Sequence, residues 1–516
     1  MIFDAKFLFP ATLKFSGHSI FITVFQFLFL ESVIAISFDD TTNSAGISSD
    51  HHSTYIITGQ AWGDFDNDGH EDLYLTDNDG PNTLYRNLGD GTFQVSSLTA
   101  QVALTSATSG GATFVDFDND GDQDLLVLNH GVDSFFENTG TSFTDITAGS
   151  GIVQPGEGES AAWGDFNQDG YLDFYVANWY YTDPGDPLSQ DIFYLNNGNG
   201  TFTDISYLLD IDRMMWPAFA VTFLDYDNDG DLDIFVVNDK LWGNLLWRND
   251  GAGCDLWCFT DVSMATGAHH PVQGMGIAIA DIDLDGDFDF FMSSEWEQAL
   301  LRSEIAQGSD SFTDISDAAG VNFDAIGWGP VFVDFDNDGW EDLYLATQQA
   351  DAARANRLYW NNGNGTFFDW SGPSGASLTG PTIGVAYADY DQDGRIDLVM
   401  GNQHDSYYLF RNTSSAGNWL SIKLEGRAGI NRDAVGTLAV LELSDGRVLR
   451  RLSHIGSSIG SDHQSALHFG MGGATPVELT LTWPDGTEEV FDTLPINQQI
   501  EFLFPLSETI FKTSFE

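Results

Sequence analysis

The chain has 516 residues, of which 42% are hydrophobic, so it can fill the core of two or more domains or of one large repeat architecture. Its 78 acidic and 18 basic residues give a formal net charge of -60. A surface of this charge repels nucleic-acid phosphates and anionic lipid headgroups, which argues against a polyanion-binding role.

The N-terminus has the order of residues that is typical of a secretory signal. A basic start is followed by the apolar run "IFITVFQFLFL" (20–30) and by "ESVIA", which ends in small residues. We therefore predict a signal peptide over residues 1–35 and a secreted or cell-surface protein. The apolar run is short for a membrane span, so we expect no stable span. In an oxidising compartment Cys254 and Cys258 can close one small disulfide loop.

An acidic loop with the pattern D-x-[DN]-x-D-G-x-x-D occurs seven times in the sequence. The copies begin at Asp64, Asp116, Asp165, Asp225, Asp281, Asp334 and Asp389. Calcium takes six to eight oxygen ligands, and positions one, three and five of a tight loop can point carboxylates at one ion. Glycine at position six permits the turn that brings the carbonyl of position seven and the aspartate of position nine to the same ion.

Seven loops in one register predict up to seven structural calcium ions. The predicted ligands are Asp64, Asp66, Asp68, His70 and Asp72; Asp116, Asp118, Asp120, Asp122 and Asp124; Asp165, Asn167, Asp169, Tyr171 and Asp173; Asp225, Asp227, Asp229, Asp231 and Asp233; Asp281, Asp283, Asp285, Asp287 and Asp289; Asp334, Asp336, Asp338, Trp340 and Asp342; and Asp389, Asp391, Asp393, Arg395 and Asp397. The third loop is the weakest, because Asn167 replaces an aspartate.

Three other interpretations of the loops are less favourable. Magnesium prefers a smaller octahedral shell with retained water. An acidic surface turn would explain one copy but not seven in register. An EF-hand needs a glutamate at position twelve and two flanking helices, whereas these loops lie between short apolar runs such as "ATFV" and "LLVL", which are typical of strands.

Each repeat continues with a third strand-like run such as "TLYRN" and a fourth such as "FTDIT", and four short strands per repeat of about 50 residues are typical of a propeller blade. The seventh repeat lacks its fourth run. However, "FDDTTNSAGI" from Phe38 resembles "FTDITAGSGI" from Phe143, so we predict that residues 38–42 complete blade seven. The expected fold is all-β, with a seven-bladed propeller over residues 36–413 and a small β-sandwich-like domain after it.

The loops and the "NNGNGTF" turns resemble FG-GAP/VCBS repeats, the units of integrin-α-like seven-bladed propellers. This resemblance covers roughly residues 37–413 and implies calcium at the ligands named above. Residues 418–504 contain "NRDAVGTLAVLELSDG", "SDHQSALHFGMG" and "WPDG". They resemble the ASPIC/UnbV domain, which follows such repeats in proteins of the cartilage acidic protein family. No secure active site is known for that domain, so the resemblance adds no mechanism, and residues 505–516 are expected to be a tail.

The connections on the face opposite the acidic loops are rich in aromatic residues. Trp179, Tyr180, Tyr181 and Trp296 are the candidates for a ligand face, because exposed rings among acids and amides suit contact with protein or carbohydrate. The alternative is that these rings pack the connections onto the propeller.

No nucleophile elbow, P-loop, zinc signature or dinucleotide fingerprint occurs in the sequence. The pair His269-His270 could serve a metal or an acid–base step, but paired surface histidines are more often inert. We therefore predict an extracellular interaction or adhesion module for protein or carbohydrate, and not an enzyme. The alternative function is a calcium-dependent extracellular polysaccharide lyase or hydrolase on a propeller scaffold.

Overall fold

The computed structural model describes most of the chain after the predicted signal peptide. The described residues are 36–49, 51–52, 57–153, 155–179, 190–209, 217–254, 256–348 and 354–504. The predicted signal peptide (1–35) and tail (505–516) lie outside them. None of the helices in this described part is long and apolar enough to cross a membrane.

Residues 38–412 form short strands. In chain order these are β1 (Phe38–Asp40), β2 (Gln60–Gly63), β3 (Asp72–Leu75), β4 (Thr83–Asn87), β5 (Phe93–Val95), β6 (Ser109–Val115), β7 (Asp124–Val132), β8 (Ser134–Asn138), β9 (Phe143–Asp145), β10 (Pro155–Gly164), β11 (Asp173–Asn178), β12 (Ile192–Asn196), β13 (Phe202–Asp204), β14 (Ala218–Leu224), β15 (Asp233–Asn238), β16 (Leu245–Asn249), β17 (Phe259–Asp261), β18 (Gly274–Ala280), β19 (Asp289–Trp296), β20 (Ala299–Ser303), β21 (Phe312–Asp314), β22 (Ala325–Val333), β23 (Asp342–Thr347), β24 (Arg357–Asn361), β25 (Phe367–Asp369), β26 (Thr382–Ala388), β27 (Asp397–Asn402) and β28 (Tyr408–Asn412).

One turn of helix follows the last strand of each of the first six repeats. These turns are α1 (Thr99–Val102), α2 (Thr147–Ser150), the 3₁₀ turn Ser206–Leu209, α3 (Ser263–Thr266), α4 (Ser316–Ala319) and α5 (Ser371–Ser374). They return the chain from the outer strand of one sheet to the inner strand of the next. A disulfide joins Cys254 to Cys258 in the turn before β17.

The strands of the described residues pair antiparallel in seven groups of four, which we call blades; β10 also pairs with β7 and β22 with β19, so two pairs of neighbouring blades share backbone hydrogen bonds. Six of them are β2–β5, β6–β9, β10–β13, β14–β17, β18–β21 and β22–β25, and the seventh joins β26–β28 to β1. The first strand of each blade contacts the first strand of the next, and β26 contacts β2. The blades therefore form a closed ring, which confirms the all-β propeller class predicted from the sequence.

The innermost strands are buried on both faces. Every residue of β6 ("SGGATFV") and β14 ("AFAVTFL") is buried, which agrees with their small and apolar side chains. The ring is closed by β1, whose Phe38 lies opposite Asn412 and whose Asp40 lies opposite Phe410 of β28. The Phe38 ring also packs edge-on against Phe335 of the neighbouring blade, with 5.3 Å between ring centroids. The burial of Phe38 and the backbone hydrogen bonds of β1 thus both stabilise the closure of the ring.

A second domain follows the ring. Its strands are β29 (Asn418–Glu425), β30 (Leu438–Leu443), β31 (Val448–Leu452), β32 (Ser461–Asp462), β33 (Leu467–Gly472), β34 (Pro476–Thr482), β35 (Glu488–Phe491) and β36 (Gln498–Leu503). They form one sheet in the order β33-β29-β36 and another in the order β31-β30-β34-β35. The two sheets share one apolar core that includes Ile422, Leu441 and Phe469.

One segment of this domain, residues 453–466, enters the centre of the ring, and we call it the plug. The carbonyl of Ile455 accepts the N–H of Trp163 in β10 at 3.1 Å, and Ser458 exchanges two backbone hydrogen bonds with Ile277 in β18. Strand β32 of the plug pairs in parallel with β2. The Asp462 carboxylate accepts the N–H of Phe114 in β6 at 2.9 Å. The propeller and the second domain therefore share hydrogen bonds and core. This arrangement was not predicted from the sequence.

Candidate metal centres

All seven acidic loops share one pattern of hydrogen bonds to the first aspartate. In the first loop the carboxylate of Asp64 accepts the N–H of Asp68 at 2.9 Å and the N–H of Gly69 at 3.0 Å. The same two bonds form in every other loop, to Asp116, Asp165, Asp225, Asp281, Asp334 and Asp389. Each loop is therefore folded around its own position-one carboxylate.

Positions four and six of each loop have positive φ, which is 55° at Asn67 and 89° at Gly69. Glycine adopts this conformation freely, and asparagine tolerates it better than most residues, which accounts for the repeated "DNDG". No role for position four was predicted from the sequence. The positions four with positive φ are Asn67, Asn119, Gln168, Asn228, Leu284, Asn337 and Gln392.

The position-four amides also link neighbouring loops. Asn67 donates from Nδ2 to the carbonyl of Gly121 in the second loop at 3.0 Å, and Gln392 of the seventh loop donates to the carbonyl of Gly69 at 2.6 Å. Equivalent bonds to a glycine carbonyl of the next loop start from the amides of Asn119, Gln168 and Asn337. Asn228 instead donates to the carboxylate of Asp287 in the fifth loop at 3.2 Å. Leu284 cannot make such a bond, and it packs instead against the core of the second domain.

The position-nine aspartate attaches the loop to the third strand of its blade. In the third blade Asp173 accepts the N–H of Asn196 at 2.7 Å, and the Asn196 side chain donates to the carbonyls of Phe117 and Leu172. Phe117 belongs to the preceding loop, so the amide joins two blades. We call this asparagine, which bonds to two blades, the clamp. In the sequence it is the recurrent asparagine that ends "YRN", "YLN", "WRN" and "YWN", and its role was not predicted. The clamp residues are Asn87, Asn138, Asn196, Asn249, Asn361 and Asn412, with Ser303 in blade five.

The carboxylates of the loops approach each other closely enough to hold a cation. Ligand atoms lie within 4.8 Å of one another in groups that include Asp64, Asp66 and Asp72; Asp116, Asp118 and Asp124; Asp225, Asp227 and Asp229; Asp281, Asp283 and Asp285; and Asp334, Asp336 and Asp342. In loop three, Asn167 donates to Asp169 at 3.1 Å. The position-seven residues, such as His70, donate their N–H to the position-five carboxylate, and ligation by their carbonyls stays a prediction.

Several loop carboxylate oxygens are buried without a hydrogen-bond partner among the described residues. They are Oδ1 of Asp66, Asp227, Asp283 and Asp391, both side-chain oxygens of Asp336, and Oδ2 of Asp173. Buried acceptors are rarely left unpaired, because the unpaired group costs about 1–3 kcal/mol. A hard cation satisfies such oxygens, so the residues present fit calcium.

The pKa values of the loop aspartates indicate the same need for a cation. Burial raises the pKa of Asp72 to about 9 and that of Asp124 to about 10, and the charges of neighbouring loop carboxylates add to the shift. Burial likewise raises the pKa of Asp116 and Asp389 to about 8. Without a cation the loops would retain protons at neutral pH.

The second domain covers the face of the ring that holds the loops and contacts all seven of them. The contacts, in loop order, are Lys423 Nζ with Asp64 Oδ2 (3.6 Å), Asp433 with the N–H of Asp116 (2.8 Å), Val435 in one apolar cluster with Leu172, Leu438 against the apolar cluster that contains Tyr226, the core of the second domain with Leu284, Arg447 with the carbonyl of Asp338, and Gln464 with the N–H of Asp389 (2.7 Å). A polar cleft of about 1180 Å³ remains between loops one, two and seven and strands β29 and β36.

Two protein families match the chain. The FG-GAP-like repeat family matches residues 64–127, 116–176, 180–236, 225–292 and 334–400, which together make up more than half of the chain. The chain belongs to the FG-GAP-like repeat family. Residues 427–507, which include the plug, match the ASPIC and UnbV family.

Similar proteins have been named in vertebrates. The chain is 25% identical to cartilage acidic protein 1 of Mus musculus over 89% of this chain and 75% of that one. It is 24% identical to cartilage acidic protein 1 of Homo sapiens, over 89% and 74% of the two chains. Among solved structures, the BP39L lectin from Burkholderia pseudomallei is 12% identical with a TM-score of 0.45, over 71% of this chain and 98% of that one. This structural likeness is too remote to support an argument about function.

The predicted ligand-face residues lie in different environments. Trp179 is 9% exposed, stacks on Phe219 with 4.9 Å between ring centroids, and donates its indole N–H to Asp239 at 2.9 Å. It therefore has the packing role that was the alternative in the sequence analysis. Trp296 is 43% exposed at the end of β19. Tyr180 and Tyr181 lie outside the described residues.

Proposed function

We propose that the chain is a secreted, calcium-stabilised propeller that binds an extracellular protein or carbohydrate through the face opposite its FG-GAP loops. The position of the second domain carries this proposal. It contacts all seven loops, and its plug fills the centre of the ring. A partner that approaches the loop face meets this domain, whereas the opposite face holds the long connections between strands, where binding residues usually lie on a rigid scaffold.

The calcium part of the proposal is supported by the loops themselves. Up to seven sites share the same fold around a position-one aspartate, and several of them contain buried carboxylate oxygens without a partner among the described residues. When bound, calcium supplies positive charge and coordination that hold the loop carboxylates together. The loops lie against the second domain, so the ions would stabilise both the blades and the docking of that domain.

Trp296 is the best-supported residue of the proposed binding face. Its φ is +83°, which is strained for a bulky residue, and such strain is concentrated at functional sites. The Arg354 guanidinium lies 5.9 Å from the centre of the indole ring and is 3.5 Å from Asp324. A ring that is both exposed and supported by a cation suits contact with a partner. We include Tyr180 and Tyr181 in the proposed face.

Capture of extracellular-matrix and cell-wall material by the immobilised, calcium-loaded protein tests the proposal. We expect Trp296→Ala to lose capture, with calcium content and melting temperature near those of the wild type. Phe368→Ala is the matched control, because Phe368 is 54% exposed on the outer strand β25, away from the proposed face, and we expect its capture to be unchanged.

Two results would contradict the proposal. If Trp296→Ala captures as much as the wild type, the binding site lies elsewhere. If the wild type retains nothing but depolymerises a polysaccharide in a calcium-dependent way, the chain is the lyase or hydrolase that the sequence analysis kept as its alternative.

A further inference from the structure

In the first acidic loop, a guanidinium bridges two carboxylates. Arg86 lies on β4, one residue before the clamp of its blade. Its Nε pairs with Oδ2 of Asp66, and its Nη2 is 2.5 Å from Oδ2 of Asp68. The other oxygen of Asp68 accepts the N–H of the position-seven residue at 3.1 Å. With Lys423 at 3.6 Å from Asp64, the carboxylates of positions one, three and five are each paired with a cation of the chain itself.

The seventh loop repeats this arrangement in the neighbouring blade. Arg411 of β28 also directly precedes its clamp; its Nε is 2.6 Å from Oδ2 of Asp391, and its Nη2 is 2.9 Å from Oδ2 of Asp393. The guanidinium of Arg395 pairs with the same oxygen of Asp393, and the backbone N–H of Arg395 donates to the other oxygen at 3.1 Å. Both oxygens of the position-five carboxylate are therefore engaged in this loop, as they are in loop one.

The residue before the clamp differs in the other blades. It is Glu137 in blade two, Leu195 in blade three and Trp360 in blade six. In blades four and five it is an arginine, but Arg248 pairs with Asp250 and Arg302 pairs with Glu304, and both of these carboxylates lie outside the acidic loop. Among the described residues, a lysine or arginine pairs with the loop carboxylates in loops one and seven alone.

A guanidinium that bridges two loop carboxylates opposes the binding of a cation there. Calcium affinity depends on the charge count of the ligands and on the rigidity of the site. Arg86 and Arg411 neutralise part of that charge and repel a divalent ion that shares their oxygens. Their side chains are 42% and 39% exposed, so each can turn out into water when calcium is abundant. Asp68 and Asp391 also line the polar cleft beside the second domain, which gives ions access to both loops.

We propose, on the basis of the calcium sites in the proposed function, that loops one and seven are low-affinity sites at which calcium competes with Arg86 and Arg411. Loop two, with Glu137 before its clamp, keeps its ion at lower calcium concentrations. Because Lys423 of the second domain pairs with loop one, filling of that loop changes the charge at the contact between the second domain and the ring. This contact therefore responds to calcium in a range where the other loops stay filled.

Stepwise dialysis of the calcium-saturated protein against buffers of decreasing free calcium, with metal analysis at each step, tests the proposal. We expect a class of weakly bound ions, which includes those of loops one and seven, to leave before the rest. Arg86→Gln and Arg411→Gln should each tighten the binding of one ion of this class by about 10-fold, because one repelling charge is removed. A purely structural role for the arginines predicts the opposite sign, since damage to a loop weakens its binding.

The matched control is Arg248→Gln, which removes an arginine at the same strand position that pairs with Asp250 outside its loop. We expect it to leave the weakly bound class as in the wild type. The proposal is overturned if Arg86→Gln and Arg411→Gln leave calcium binding unchanged or weaken it, or if Arg248→Gln tightens the weak class as much as they do. A single class of ions in the wild type and in every variant refutes the two affinities alone, whereas a protein that binds no calcium refutes the proposed calcium sites as well.

Discussion

Replacing Asn196 by alanine tests whether the asparagine clamp holds neighbouring blades together. The side chain is 2% exposed and donates to the carbonyl of Phe117 at 2.9 Å and to the carbonyl of Leu172 at 3.1 Å; it also accepts the N–H of Gly198. Water can replace the bond to Gly198, which lies in an exposed turn, but not the two bonds to buried residues. Each orphaned buried carbonyl costs about 1–3 kcal/mol, so we expect Asn196→Ala to lower the free energy of unfolding by about 2–6 kcal/mol.

The measurement is equilibrium unfolding in urea with saturating calcium, followed by tryptophan fluorescence. The matched control is Asn197→Ala, because the only hydrogen bonds of this adjacent side chain within the described residues are to the surface hydroxyls of Thr201 and Thr203, and we expect a change within about 0.5 kcal/mol. If the two variants lower the free energy of unfolding equally, or if Asn196→Ala lowers it by less than about 1 kcal/mol, the clamp does not stabilise the contact between blades as its hydrogen bonds suggest.

Three further predictions concern the loops, the plug and the closing strand. In chelator, the melting temperature should fall as pH rises from about 5 to 8. The reason is that the folded loops retain protons on groups such as Asp72, whose pKa is raised to about 9, whereas the unfolded chain releases them near pH 4. Calcium should abolish this fall and restore stability better than magnesium, and a melting temperature that rises with pH in chelator would contradict the reasoning. Gly456→Ala should release the plug, because the added Cβ would lie 1.9 Å from the carbonyl oxygen of Ala161. The control Gly446→Ala, at a residue with a similar φ and open space around it, should only add local strain. Limited proteolysis within residues 453–466 distinguishes the two variants, and equal protection of this segment in both would refute the docking of the plug. Deleting residues 36–45 should cause aggregation by leaving β28 unpaired, while deleting 1–35 should not; a stable monomer from the longer deletion would show that β1 is dispensable.

The features that recur in register could be predicted from the sequence. The seven acidic loops, the strands beside them and the all-β propeller class follow from the spacing of the loops and from the short apolar runs beside them, which are local properties of the chain. The positive φ of Asn67 and the clamp of Asn196 were also present as recurrent asparagines, but the sequence gave no partner for either amide. Such roles depend on contacts between blades.

The plug and the burial of Trp179 could not be predicted, because both depend on tertiary contacts. The segment "SDHQSALHFGMG" has no hydrophobic periodicity that indicates insertion into a ring. Its first residue, Ser461, pairs with Gln60, which is far away in the chain. Likewise, an aromatic residue in a connection can be exposed or buried, and only the stacking of Trp179 on Phe219 distinguishes the two.

The closing strand β1 has a consequence for the order in which the ring can assemble. The hydrogen bond from the N–H of Ser37 to Ser414 spans 377 positions of sequence, so the first residues of the propeller have no partner in their own blade until the last strand of that blade has been made. Closing a loop of this length costs about 5 kcal/mol in chain entropy beyond a constant term. Six blades can form as the chain emerges, whereas closure must wait for the whole propeller. Until then the free edge of β28 can accept β1 from a second chain as readily as its own, so the yield of closed monomer should depend on protein concentration during folding.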